Sequence, residues 1–83
     1  MSNVPARQLS GRERQCLQLL AAGFRRSAIA AKLGIKPVTV DLHIQNSRRK
    51  LGANTVEQAV ALALMRSQIV LTEDTQTRSA KVK

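Results

Sequence analysis

Aromatic side chains are almost missing from this 83-residue chain, which has no tryptophan, no tyrosine and one phenylalanine, Phe24. Their scarcity removes the stacking platforms on which single-strand binders and RNA-recognition sheets depend. Cysteine occurs once, as Cys16, and histidine once, as His43. An internal disulfide is therefore excluded, a complete zinc site cannot be assembled, and an intracellular setting is expected. Acidic residues are scarce too, five in all. With no paired carboxylates, no nucleophile beside a base and no phosphate loop, the chain is not expected to be an enzyme. No cofactor, metal or small-molecule ligand is expected either. No run of signal-peptide type follows Met1, and the most apolar stretch, 56–71, is broken by Glu57, Gln58, Arg66 and Gln68. A membrane span is not expected.

What the chain does have is positive charge. Fourteen Lys and Arg against five Asp and Glu leave +9 at neutral pH, which points to a polyanion partner. Given the missing aromatics, that partner is duplex DNA in preference to RNA. Charge serving only solubility is the competing reading, and the positions of the charges must decide. Eighty-three residues make one small domain. A chain of this size hides only about 60% of the surface its unfolded form exposes, so dimerisation would help it.

Four helices can be read along the chain. Ser10 and Glu13 form a Ser-x-x-Glu capping box, Cys16, Leu17, Leu20 and Ala21 follow at helical spacing, and Gly23 lies just beyond. Cys16 reads as a small core hydrophobe. A second helix over 26–33 turns Ile29, Ala30 and Leu33 inward and stops at Gly34. Pro37 suits the first position of a third helix, which runs to about Leu51 and is closed by Gly52. Asn54 and Glu57 offer a second capping box for a fourth helix, over about 55–69, with Val56, Ala59, Val60, Ala63 and Leu64 as its core stripe. The expected architecture is an all-α four-helix bundle containing a helix-turn-helix. Residues 1–8 read as a flexible arm, 9–71 as the domain and 72–83 as a mobile basic tail.

The third helix has two faces. Val40, Ile44, Ser47 and Leu51 recur at steps of four, three and four, making an inward seam. Val38, Asp41, Leu42, Gln45, Arg48 and Arg49 lie outside it. Gln45 can pair in bidentate fashion with adenine, Asp41 can accept from a cytosine amine, and Leu42 or Val38 can touch a thymine methyl. Arg48, Arg49 and Lys50 suit the phosphate backbone as the helix leaves the groove. A solvated basic helix end, favourable to the macrodipole, is the alternative for that run.

These residues resemble the LuxR/GerE-type helix-turn-helix domain of bacterial transcription regulators. The likeness spans residue 9 to about 69 and rests on LSGRE, AAG, IAAKLGI, TVDLH, RRKLGA and EQAVALAL. The stretch from Thr39 to Leu64 is most similar to the autoinducer-responsive branch, although that branch is defined by a sensor domain not found in this sequence. The resemblance implies duplex DNA binding as a homodimer through the fourth helix, in the bacterial cytoplasm and on the nucleoid when bound. It implies base contacts at Asp41, Leu42 and Gln45, and backbone contacts at Arg26, Ser27, Thr39, His43 and the 48–50 run. A full-length LuxR-type regulator or RNA polymerase is a further partner it allows.

Three departures from the family pattern bear on this transfer. Asp41 stands where many relatives carry lysine, and an acid among phosphates costs binding unless a cytosine amine or a neighbouring Arg takes it up. Arg25 and Ala28 replace the capping hydroxyl and glutamate of the second helix, which argues that Arg25 and Arg26 are kept for phosphate contact; Ser27 as a shifted cap is the alternative. Lys36 stands at the usual capping serine of the third helix, where it can reach a phosphate. His43 reads as a partly packed ring touching backbone, with a pH switch or a ligand as less supported roles.

On the fourth helix, Leu62, Met65 and Ile69 form a second apolar row suited to the same helix of another copy. Such pairing would space two reading helices about one DNA turn apart. Packing beneath the tail is the other use of that row. The chain is either a fragment of a longer regulator or a protein that acts alone; Met1 and the polar tail favour the second expectation, with control then coming from abundance, a partner or mixed dimers. The alternative function is a stand-alone antagonist that pairs with a full-length regulator and blocks it.

Overall fold

The computed structural model describes residues 8–71. Apart from Gln8, the expected arm and the expected tail lie outside the described residues. Four helices follow in order: α1 (Gly11–Ala21), α2 (Arg26–Leu33), α3 (Pro37–Leu51) and α4 (Val56–Met65), with no strand among the described residues. The other three helices all pack on α3, and α2 and α4 also touch α1, giving the all-α bundle expected from the sequence.

Two apolar clusters hold this arrangement. Cys16, Ile29, Ala30, Val40 and Ile44 join α1, α2 and the first half of α3. Leu9, Leu17, Leu51, Ala53, Ala59, Ala63 and Ile69 join α1, the end of α3 and α4. Leu20 packs against both clusters, so α1 ties the two halves together. Burial pushes the Cys16 thiol up from its ordinary range, which keeps it neutral and suits its place in the core.

Helix starts and stops follow the local chemistry. The Ser10–Glu13 box is closed in both directions: the Glu13 amide donates to Ser10 Oγ at 3.2 Å and the Ser10 amide to Glu13 Oε1 at 2.8 Å. Glycines with positive φ, Gly34 at 69° and Gly52 at 72°, end α2 and α3. Each turns the next residue inward, and the Ile35 and Ala53 amides donate to the carbonyls of Ala30 and Arg48, both at 3.0 Å.

The fourth helix departs from the reading in two ways. Its cap is Thr55, one residue after Asn54, and Thr55 Oγ1 accepts from the Gln58 amide at 3.0 Å. Gln58, not Glu57, reaches back, accepting from the Asn54 amide at 2.7 Å. Both frames satisfy the same four-residue pattern, and threonine at the nearer position takes the cap. The helix also stops at Met65, four residues short of Ile69. Ser67 adopts the left-handed turn at φ 60°, and the Gln68 amide closes on the Ala63 carbonyl at 2.8 Å. Gln18 then anchors the returning chain: its carboxamide donates to the Val70 carbonyl, and its Oε1 accepts from the Val70 amide.

An ion pair fastens the end of α3 to the start of α1. Lys50 Nζ lies 2.9 Å from Oε1 of the nearly buried Glu13. Burial alone would push the Glu13 carboxyl up. Hydrogen bonds from Ser10 and Lys50, with the Lys50 charge, outweigh burial and hold it below the usual glutamate range. Because its folded value is depressed, its contribution is present above about pH 4.3 and is lost as pH falls through the folded value. Glu13→Gln should therefore lower the unfolding free energy at pH 7 by about 1–2 kcal/mol and bring variant and parent together toward pH 3. Urea melts across pH 3–7 check this; a pH-independent difference would contradict it.

Candidate nucleic-acid interface

The α3 seam is as the sequence reading has it: Val40, Ile44, Ser47 and Leu51 are buried. The Ser47 hydroxyl donates to the His43 carbonyl at 2.7 Å, which satisfies the one polar member of the seam. Fixing that face inward leaves the opposite one to solvent. Val38 and Leu42 are 68% and 55% exposed, and Asp41 and Gln45 are exposed between and beyond them. Two large apolar side chains one helical turn apart, with polar groups at their sides, form a surface that can meet both a thymine methyl and base-edge hydrogen-bonding groups.

Positive groups border this face. At the start of α2, Arg25, Arg26 and Ser27 are exposed; Arg25 occupies the cap position and makes no side-chain cap bond. Ser27 is the second residue inside the helix, which removes it as a shifted cap. Lys36, exposed at the cap of α3, likewise makes no cap bond. Thr39 and His43 are half-buried along the side of α3. Arg26 Nε lies 2.8 Å from Asp41 Oδ1, an ion pair joining the two helices of the motif.

The run from Arg48 to Lys50 does not act as one block. Successive helical residues are set about 100° apart, so three in a row cannot share a face. Arg48 turns to the protein, donating from Nε to Gln45 Oε1 at 3.1 Å and from Nη1 to the Ala53 carbonyl at 3.0 Å. Arg49 is exposed and donates to Asn46 Oδ1 at 3.2 Å. Lys50 faces inward to Glu13 and also reaches the Gln8 carbonyl at 3.4 Å. Of the three, Arg49 is the one left exposed, while Arg48 is tied to the Ala53 carbonyl and Lys50 is held in the Glu13 ion pair. The Gln45–Arg48 and Asn46–Arg49 pairs were missed in the sequence, although their three-residue spacing is the signal for them.

The apolar row on α4 changes as well. Met65 is 77% exposed, Leu62 is half-buried against the core, and Ile69 lies beyond the helix at 2% exposure within the core cluster. Ile69 is therefore a core residue. Val70 and Leu71, both exposed, join Met65 as apolar surface at the α4 end of the molecule.

Comparison with known proteins places these features in context. The model of the family described as bacterial regulatory proteins, luxR family, matches residues 7–63. The structure of the transcription factor GerE superposes with a TM-score of 0.74 at 36% identity, covering 77% of this chain and 96% of that one. The Probable transcriptional regulatory protein SgaR of Hyphomicrobium methylovorum is 40% identical over 62 residues, which is 75% of this chain and 29% of the relative. The transcriptional regulatory protein UhpA of Escherichia coli is 48% identical over 52 residues, or 61% and 26%. The Probable transcriptional regulatory protein NarL of Mycobacterium tuberculosis is 45% identical over 56 residues, or 68% and 26%. The chain thus spans between 26% and 29% of the length of these curated relatives.

Proposed function

Because the chain belongs to the luxR family of bacterial regulatory proteins, we propose that it regulates transcription by sequence-specific binding of duplex DNA, with α3 seated in the major groove. The observation that carries this reading is the outer face of α3. Val38, Asp41, Leu42 and Gln45 stand open to solvent while the seam behind them is sealed. Arg25, Arg26, Ser27, Lys36 and Arg49 lie at the edges, where phosphates flank a helix in the groove. Thr39 and His43 are the half-buried members of the backbone-contacting set. Within the face, Gln45 reads adenine, Asp41 accepts from cytosine, and the two aliphatic side chains meet thymine methyls.

The domain acts as a homodimer whose α4 helices meet, with Met65 at the centre and Leu62 at its side. Two copies of α3 would then address half-sites about one helical turn apart. Met65→Glu should weaken self-association and the cooperative filling of paired half-sites, while binding to one half-site stays close to the parent. Sedimentation velocity with and without duplex checks this; unchanged association would remove Met65 from the interface. The same apolar surface favours a second reading, in which the chain pairs with a full-length relative and silences it.

Titration with genomic duplex fragments at several salt concentrations separates the two. A regulator holds a few fragments far more tightly than the rest, and log affinity falls linearly with log salt, by about 0.9 for each phosphate engaged. An antagonist binds its protein partner and prefers no fragment.

A further inference from the structure

The ion pair between the helices of the motif has a geometry that a purely structural pair would not need. Arg26 is the first residue of α2, and Asp41 lies one turn into α3. Their side chains are 46% and 56% exposed, with Nε and Oδ1 2.8 Å apart. An exposed pair of this kind adds little to stability. An arginine at an uncapped helix N-terminus also opposes the helix dipole, where an acid or hydroxyl would serve the fold better.

The donor arrangement explains what the pair can do. A guanidinium carries five N–H groups in a rigid fork. Nε sits in ion-pair contact with Asp41, and the Nη groups have no hydrogen-bond partner among the described residues. Arg48 offers a contrast: its Nε also holds a polar reader, Gln45, but its Nη1 is tied to the Ala53 carbonyl. Gln45 is thus held by an arginine anchored in the protein, and Asp41 by one whose outer end opens to solvent.

Resting on the reading that α3 enters the major groove, we propose that Arg26 is a positioning residue that couples phosphate binding to base selection by Asp41. Its Nη groups take the oxygens of a backbone phosphate while Nε fixes Oδ1. Oδ2 is left to accept from the exocyclic amine of a cytosine. The arginine also cancels the aspartate charge, so an acid can approach the phosphates without net repulsion. Asp41 discriminates between bases only while Arg26 is seated on the backbone.

Selection from randomised duplexes with the parent, Asp41→Asn, Arg26→Gln, Arg26→Lys and the Arg26→Gln/Asp41→Asn pair tests this. Asp41→Asn identifies the position the aspartate reads, where the parent should prefer cytosine about fivefold, the lower end for a good base contact. Arg26→Gln should lose that preference at that position alone, with the rest of the site unchanged, and the double variant should lose no more there than either single change. The salt slope should fall by about 0.9 in Arg26→Gln and hold in Asp41→Asn. Lysine restores the phosphate charge but not the fork, so Arg26→Lys should recover the slope without the preference, a split that a structural role would not produce. Helical circular dichroism of each variant confirms folding. If Arg26→Gln keeps the preference, or loses selectivity evenly across the site, the coupling is wrong while the groove reading stands. A parent that selects no sequence overturns the groove reading and the coupling with it.

Discussion

Replacing Ile44 by alanine should lower the unfolding free energy by about 2–5 kcal/mol. Ile44 is 1% exposed and packs with Cys16, Ile29, Ala30 and Val40, the cluster that fixes α3 against α1 and α2. The neighbouring groups are short or lie on helices held at both ends, so the space left by three missing carbons cannot fully collapse. In a domain of this size total stability is about 5–15 kcal/mol, and the change takes a large part of it. Each kcal/mol lost should move the thermal midpoint by roughly 4–8 °C. Urea unfolding followed by circular dichroism measures the effect, and a loss below about 1 kcal/mol would mean that the seam does not anchor the helix.

Leu42→Glu addresses the other face and should leave the fold intact, because the side chain is more than half exposed and touches no core cluster. Its effect should fall on binding. A leucine on the groove floor brings apolar contact; a glutamate there brings a second acid beside Asp41, and Arg26 can compensate only one. Like-charge placement of this kind costs several kcal/mol, so affinity for duplex should weaken on the order of 100-fold. A change confined to the loss of one unit from the net charge would be much smaller and uniform for any surface position. Alanine at the same site gives the milder reference, since it removes the contact without adding charge. Equal weakening by Leu42→Glu and by a glutamate on the far side of the molecule would point to diffuse attraction alone.

How legible the molecule was in its sequence differs from part to part. The seam of α3 could be read because four residues obey the helical period between two clear boundaries, Pro37 and Gly52, and the second helix was bounded in the same way by Gly34. The end of α4 could not, because the left-handed position that stops it is filled by Ser67, which carries no glycine signal. Ile69 consequently read as a continuation of the helix when it belongs to the core. The cap of α4 was ambiguous because Asn54 and Thr55 open overlapping frames. The solvent face of Val38, Asp41, Leu42 and Gln45 followed from the seam by subtraction. The Lys50–Glu13 and Arg26–Asp41 pairs did not follow, since each joins residues that only tertiary packing brings together. These pairs decide which cations remain available to a phosphate, so the electrostatic part of the site was the part least visible in the chain.

The measurement that bears most directly on the account is selection of binding sites by the purified chain from a fully randomised duplex library, read by sequencing at two salt concentrations. Base-specific insertion of α3 predicts a short enriched motif, repeated with two-fold symmetry if α4 pairs the copies, and retained at the higher salt as nonspecific binding falls away. Recovery of duplexes without any preferred sequence, or binding lost evenly as salt rises, would contradict it.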